Sequence, residues 1–200
     1  MKSFPYKSIS PERLQEYAVA SGFGDMYPQD LEQFKRFLTY AHKILEVGCG
    51  TGRLGRHLIK DFDYTGVDLY SPYLDVFRQE LIKEGRADTK QRLIQTSFLD
   101  FNQKNFDAII FPWTVIEDFD KEEQKQALRH THDLLADRGV VIIDNPAKGA
   151  VFNRPDEYEP TEFYYDDWKD TFEQLKYSKN EVHYYDTLTG RKREIVLLRK

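Results

Sequence analysis

With 200 residues, 40% hydrophobic and 14% aromatic content, the chain has enough apolar material for one folded α/β domain and is too apolar for disorder. The net charge is −5 and no basic cluster exceeds Arg191-Lys192-Arg193, so no nucleic-acid partner is expected. The single cysteine, Cys49, excludes an internal disulfide, and with neither a leader pattern nor an apolar run of about 20 residues the expectation is a soluble, cytoplasmic protein without a membrane partner.

In chain order, residues 1–40 read as an N-terminal helical cover, with Tyr17, Phe23, Gly24 and Tyr27 as its closing residues. Lys43-Ile44-Leu45-Glu46-Val47 has the continuous apolar character of a strand buried in a parallel sheet. Gly48, Gly50 and Gly52 follow at alternate positions, with Cys49 as a small spacer, and let the backbone turn and approach a ligand. Arg53 to Asp61, with Leu54, Leu58 and Ile59 apolar, predicts a helix packed back on the sheet.

Tyr64 to Asp68 is the second strand, and Ser71-Pro72 predicts an N-cap and first-turn proline for a helix running to Glu84. Arg92–Gln95 and Phe106–Phe111 are the third and fourth strands, the latter stopped by Pro112. Lys121 to Leu135 is a helix, and Gly139 to Asp144 the fifth strand. This alternation predicts a doubly wound, mostly parallel sheet with helices on both faces. The last third changes rhythm. A helix over 166–175 precedes strands at 179–186 and 194–198, joined by the turn Thr187-Leu188-Thr189-Gly190, and strands so joined form an antiparallel C-terminal hairpin. One domain over 1–200 is expected: cover 1–40, cofactor-binding core 41–145, acidic aromatic insertion 146–170 and hairpin 171–200.

Two cofactor patterns compete for the glycine loop. A dinucleotide GxGxxG runs from Gly50 to Gly55, two residues too far from the strand end; in register with the strand, the pattern needs a small residue at 53 and meets Arg53. The other pattern is acidic-x-Gly-x-Gly-x-Gly from Glu46 to Gly52, and it resembles motif I of the class I S-adenosylmethionine-dependent methyltransferases. The resemblance covers residues 44–118 in motifs and about 40–200 in architecture. It implies a Rossmann-like fold, S-adenosylmethionine as cofactor, and Glu46, Gly48, Cys49, Gly50 and Gly52 in the cofactor site.

Asp68 ends the second strand 20 residues after Gly48, where a carboxylate accepts hydrogen bonds from ribose hydroxyls. That role suits a methyl donor and NAD equally, since both carry a ribose. Leu69 would cover one face of the adenine. Related enzymes are acidic-small after the third strand; here Ser97-Phe98 stand in, with Ser97 reading the base and Phe98 packing on it. Asp100 takes either the missing carboxylate role or a turn cap. Pro112 opens a loop expected between donor and acceptor, in which Trp113 and Ile116 read as core packing. Glu117 and Asp118 are either helix-start carboxylates or a general base for the acceptor. Asn145-Pro146 reads as a turn after the fifth strand, and the five histidines show no metal-ligand spacing.

Residues 153–170 hold seven carboxylates against two cations, with Tyr158, Phe163, Tyr164, Tyr165 and Trp168 among them. They either anchor a long loop over the site or favour a cationic amine. The expected function is S-adenosylmethionine-dependent methyl transfer to a small-molecule acceptor, an amine among the options. Rival readings are a dinucleotide-dependent oxidoreductase and a non-catalytic cofactor-binding protein of the same fold.

Overall fold

A computed structural model describes residues 9–20, 29–150 and 160–200. Its strands are β1 (Lys43–Val47), β2 (Asp63–Asp68), β3 (Leu93–Gln95), β4 (Phe106–Phe111), β5 (Leu135–Pro146), β6 (Lys179–Asp186) and β7 (Lys192–Arg199). The helices are α1 (Pro11–Ala20), α2 (Gln29–Phe37), α3 (Gly55–Leu58), α4 (Ser71–Lys83), α5 (Lys121–Leu134) and α6 (Tyr165–Gln174). The strands join one sheet in the order β3-β2-β1-β4-β5-β7-β6. The first five pair in parallel, while β7 runs antiparallel between β5 and β6. This is the doubly wound sheet with a C-terminal hairpin that the sequence predicts.

Alternation along the central strands sorts side chains to two faces. Ile44, Ala108, Ile110, Val140, Ile142, Ile195 and Leu197 join the cluster under α2, α3 and α4. Leu45, Val47, Ile109, Val141, Ile143, Val196 and Leu198 join the cluster that holds α5 and α6. Covering both faces explains the near-continuous apolar strands. The order reverses between β1 and β4, so a ligand crevice belongs outside their carboxyl ends.

Three boundaries differ from expectation. The helix after β1, α3, does not span 53–61 but only Gly55–Leu58, because Gly52 is still left-handed (φ 87°) and residues 53 and 54 complete the turn. Ser71 does not cap α4; Tyr70 is the extended N-cap residue and the proline lies within the first turn. The fifth strand is longer at both ends. Leu135 pairs with Phe106 across a register shift, and Asn145-Pro146 continue the strand opposite Glu194 and Arg193 instead of forming a turn. Among the described residues, no helix is long and apolar enough to cross a membrane.

Candidate functional site

The glycine loop leaves β1 and folds back over the end of β2. Gly48 and Cys49 N–H donate to the Val67 carbonyl, and Gly52 N–H donates to the Cys49 carbonyl. Gly50 N–H donates to Asp68 Oδ2 at 2.8 Å, while Tyr70 N–H donates to Asp68 Oδ1 at 2.8 Å. A carboxylate with two oxygens has lone pairs beyond these two bonds, so Asp68 organises the loop and still has capacity for hydroxyls. Burial pushes its carboxyl above the ordinary value, and the backbone N–H groups of Tyr70, Gly50 and Leu69 oppose that shift.

The three glycines do different jobs. A Cβ on Gly52 would overlap the Phe77 ring of α4, and one on Gly48 would lie 2.7 Å from a Val115 methyl. Those two are packing positions. Gly50, at φ 52°, would meet nothing nearer than Leu14 of α1 at 3.7 Å, so the loop is open there. Beneath the loop, Glu46 is buried and accepts a 2.7 Å hydrogen bond from the Tyr64 hydroxyl. Burial pushes Glu46 up to about 8, with that hydroxyl and the charge of Arg53 pulling it back. Cys49 is buried beside Tyr64 and Gly66, in keeping with a spacer role.

Arg53 does not break the loop. Its guanidinium makes two 2.7 Å bonds to the carboxylate of Asp30, which is fully buried at the start of α2, and its Cζ lies 5.6 Å from the Trp113 ring centroid. The position that in a dinucleotide site must be small is here a strut between the loop after β1 and α2.

The turn after β4 is strained. Trp113 and Thr114 are both left-handed, at φ 43° and 67°, where L-residues are disfavoured. Trp113 N–H donates to Asp144 Oδ2 at 3.1 Å, and Thr114 N–H donates to the Asp144 carbonyl at 3.0 Å. Asp144, near the end of β5, is itself held by Arg193 of β7 (Nε 2.9 Å, Nη2 2.8 Å) and the Tyr185 hydroxyl of β6 (2.9 Å). Asp144 and Arg193 have no exposed surface.

On the other face, an extended segment is pinned by side chains. Thr161 N–H donates to the Glu117 carbonyl, and Gln124 Nε2 donates to the Thr161 carbonyl. Phe163 N–H donates to Glu117 Oε1 and its carbonyl accepts from Asn145 Nδ2, while Tyr165 N–H donates to Glu194 Oε1. Burial, with the neighbouring acids Asp166 and Glu117, pushes Glu194 up to about 7. Glu117 is therefore not a solvated helix-start carboxylate: it is 1% exposed in a short 3-10 turn. Asp118, beside it, is half-buried.

Several candidates converge on the carboxyl ends of β1, β2 and β4: Glu46, the three glycines, Asp68, the 39%-exposed Leu69, and buried Pro112. Ser97 follows β3, half-buried, and its hydroxyl accepts the Leu99 N–H. Phe98 departs from expectation. It is buried, with its ring edge-on to Phe111 and His130 at 5.2 Å each, so it packs in the core and not on a base. Asp100 is exposed, and Ser97 supplies the cap of that turn. Ile116 is core as expected, whereas Trp113 is half-buried over Arg53. Asp166 and Asp167, at the outer start of α6, pair with Lys169 and Lys148. Phe23, Gly24, Tyr27, Asp156, Glu157, Tyr158 and Glu159 lie outside the described residues.

Asp30, Asp144, Tyr185 and Arg193 were not legible as site residues. The only hints are an acid closing the apolar run Val140–Ile143 and a bulky Arg53 where a small residue belongs.

Residues 44–139 match the family described as a methyltransferase domain. A provisionally named methyltransferase of Geobacillus sp. (strain WCH70) is 27% identical over 139 residues, 66% of this chain; the chain spans about half (53%) of that relative's length. A provisionally assigned O-methyltransferase of Nostoc punctiforme aligns with 100% of this chain and 64% of its own at 18% identity and TM-score 0.72. Magnesium protoporphyrin IX methyltransferase of Synechocystis, solved with S-adenosylmethionine bound, covers 98% and 88% at 15% identity and TM-score 0.69. An amino pentose methyltransferase of Micromonospora echinaspora covers 85% and 88% at 17% identity and TM-score 0.59. At these identities the structural likeness speaks for the fold. The motif of residues 46–52 and the sheet order agree with the match over residues 44–139: the chain has the class I S-adenosylmethionine-dependent methyltransferase fold and is similar to the methyltransferase-domain family.

Proposed function

We propose that this chain transfers the methyl group of S-adenosylmethionine to a small-molecule acceptor. The supporting observation is the closure of the glycine loop on Asp68, with Gly50 left open at the sheet's switch point. The residues fit the cofactor: Asp68 would take the ribose hydroxyls, Leu69 a face of the adenine and Ser97 its edge. Glu46 and Pro112 would border the methionine part. When bound, the cofactor supplies an activated sulfonium methyl, so the protein's task is to orient the acceptor and exclude water. Orientation of this kind is worth on the order of 7–11 kcal/mol of barrier.

Against the dinucleotide reading, α3 has only 4 residues, a weak dipole for a pyrophosphate, and position 53 carries the Arg53–Asp30 strut. Calorimetry with S-adenosylhomocysteine and with NAD tests the reading. Micromolar binding of the first and none of the second is expected, and binding of NAD alone overturns it. Asp68→Ala should weaken S-adenosylhomocysteine binding at least tenfold with the circular-dichroism spectrum unchanged; unaltered affinity removes Asp68 from the site.

For the acceptor, an amine is the class to test first. Solved neighbours include an amino pentose methyltransferase and a glycopeptide N-methyltransferase, beside one assigned to oxygen. Glu117 or Asp118, both in the 3-10 turn after β4, would be the base that takes the proton of such an amine. Labelled-methyl transfer across amines, phenols, thiols and carboxylic acids decides this. Label in phenols alone ends the amine reading, and cofactor binding with no label in any class points to a non-catalytic protein.

A further inference from the structure

The Asp144 side chain lies at the junction of three parts of the molecule that are distant in sequence. Its Oδ2 and its own carbonyl accept the N–H groups of the two successive left-handed residues, Trp113 and Thr114. Its carboxylate is gripped from the hairpin by Arg193 and Tyr185. The turn so held then touches the cofactor loop twice. Val115 packs where Gly48 has no Cβ, and the Trp113 ring lies beside the Arg53 guanidinium that reaches Asp30 of α2.

A left-handed Trp-Thr pair does not persist on local preference; surrounding structure must over-determine it. Here one residue supplies both acceptors. The hydrogen bonds run from hairpin to Asp144 to turn, and the packing runs from turn to glycine loop. A shift of the turn would move Trp113 and Val115 against the wall between donor and acceptor, where small displacements are costly for an in-line transfer.

We infer that Asp144 is a positioning residue: through the Trp113-Thr114 turn it sets the post-β4 loop against the glycine loop, and Arg193 and Tyr185 hold Asp144 in place for that task. The inference rests on the methyltransferase reading for its purpose but on the contacts above for its mechanics.

The chain has two tryptophans, so Trp168→Phe leaves Trp113 as the sole indole reporter. In that background, Asp144→Asn should shift Trp113 emission to the red and at least double its quenching by acrylamide. S-adenosylhomocysteine affinity, read by calorimetry, should fall about tenfold. Tyr185→Phe removes a single bond to the carboxylate and should give the same changes in smaller measure, which keeps the test available if Asp144→Asn does not fold. Asp144→Glu, which keeps the charge, should restore part of the protection from quenching. Lowered melting temperature with unchanged Trp113 quenching and unchanged affinity would show Asp144 to be merely structural and overturn the inference. If the parent protein binds no S-adenosylhomocysteine, the methyltransferase reading fails while the quenching result still decides whether Asp144 sets the turn.

Discussion

The glycine loop and the turn after β4 both leave the right-handed region of backbone space, and they are held there by different means. In the loop, φ values of 52° at Gly50 and 87° at Gly52 cost little, because no Cβ meets the following carbonyl. In the turn, Trp113 and Thr114 carry full side chains at φ 43° and 67°, and the conformation depends on Asp144 across the sheet. One region carries its geometry in its own residue types, whereas the other borrows it from β5, β6 and β7. A site built from both has one wall set locally and one set by the whole sheet.

The largest effect should come from filling the locally determined wall. Gly52→Ala places a methyl inside the Phe77 ring at a left-handed position, combining overpacking with backbone strain. A loss of about 3 kcal/mol or more is expected in urea unfolding; a loss under about 1 kcal/mol would mean the loop relaxes without cost.

Next comes pH, acting through the acid beneath the same loop. Glu46 sits at about 8 in the folded chain against an ordinary 4.5, so the folded state holds a proton that the unfolded state has released. Stability should therefore be complete near pH 4.5 and fall as pH rises toward about 8. Each tenfold difference in proton affinity between the two states is worth roughly 1.4 kcal/mol, so the fall amounts to a few kcal/mol at most. Urea midpoints between pH 5 and 8 measure the slope, and Glu46→Gln should flatten most of it. An unchanged slope in that variant would assign the effect to other groups, Glu194 first among them, since it lies at about 7.

Gly50→Ala should separate folding from binding. Space is open around it, so only the strain of φ 52° applies, about 1–2 kcal/mol. S-adenosylhomocysteine affinity should drop tenfold or more, and calorimetry showing wild-type affinity would remove Gly50 from the cofactor's path. The smallest effect belongs to the borrowed wall. Thr114→Gly relieves left-handed strain but frees the unfolded chain, and the two nearly cancel, leaving a change of about 1 kcal/mol or less. A loss beyond about 2 kcal/mol would show that the threonine side chain, not the backbone, holds the turn.

The wall set by glycines was open to reading from one dimension. Alternating glycines after an apolar strand, Glu46 before them and Asp68 one strand later are local patterns, and the sheet placed them together as expected. Arg53 shows the limit. Its bulk correctly argued against a dinucleotide helix, but Asp30, the reason for the bulk, is 23 residues away. Phe98 turns into the core and Asn145 continues β5 for the same cause: which way a residue faces depends on what packs there, and those partners are Phe111, His130 and Glu194.

By itself, then, the sequence determined the alternating α/β order, the two apolar faces, the antiparallel hairpin and the glycine loop, because each rests on spacing within a few residues. Only the tertiary structure decided that the hairpin reaches back, through Arg193, Tyr185 and Asp144, to hold a tryptophan beside that loop. Buried charge pairs of this kind carry no periodic signal. They form because a carboxylate and a guanidinium taken from water into a sheet must find each other, and which ones meet is set by strand register.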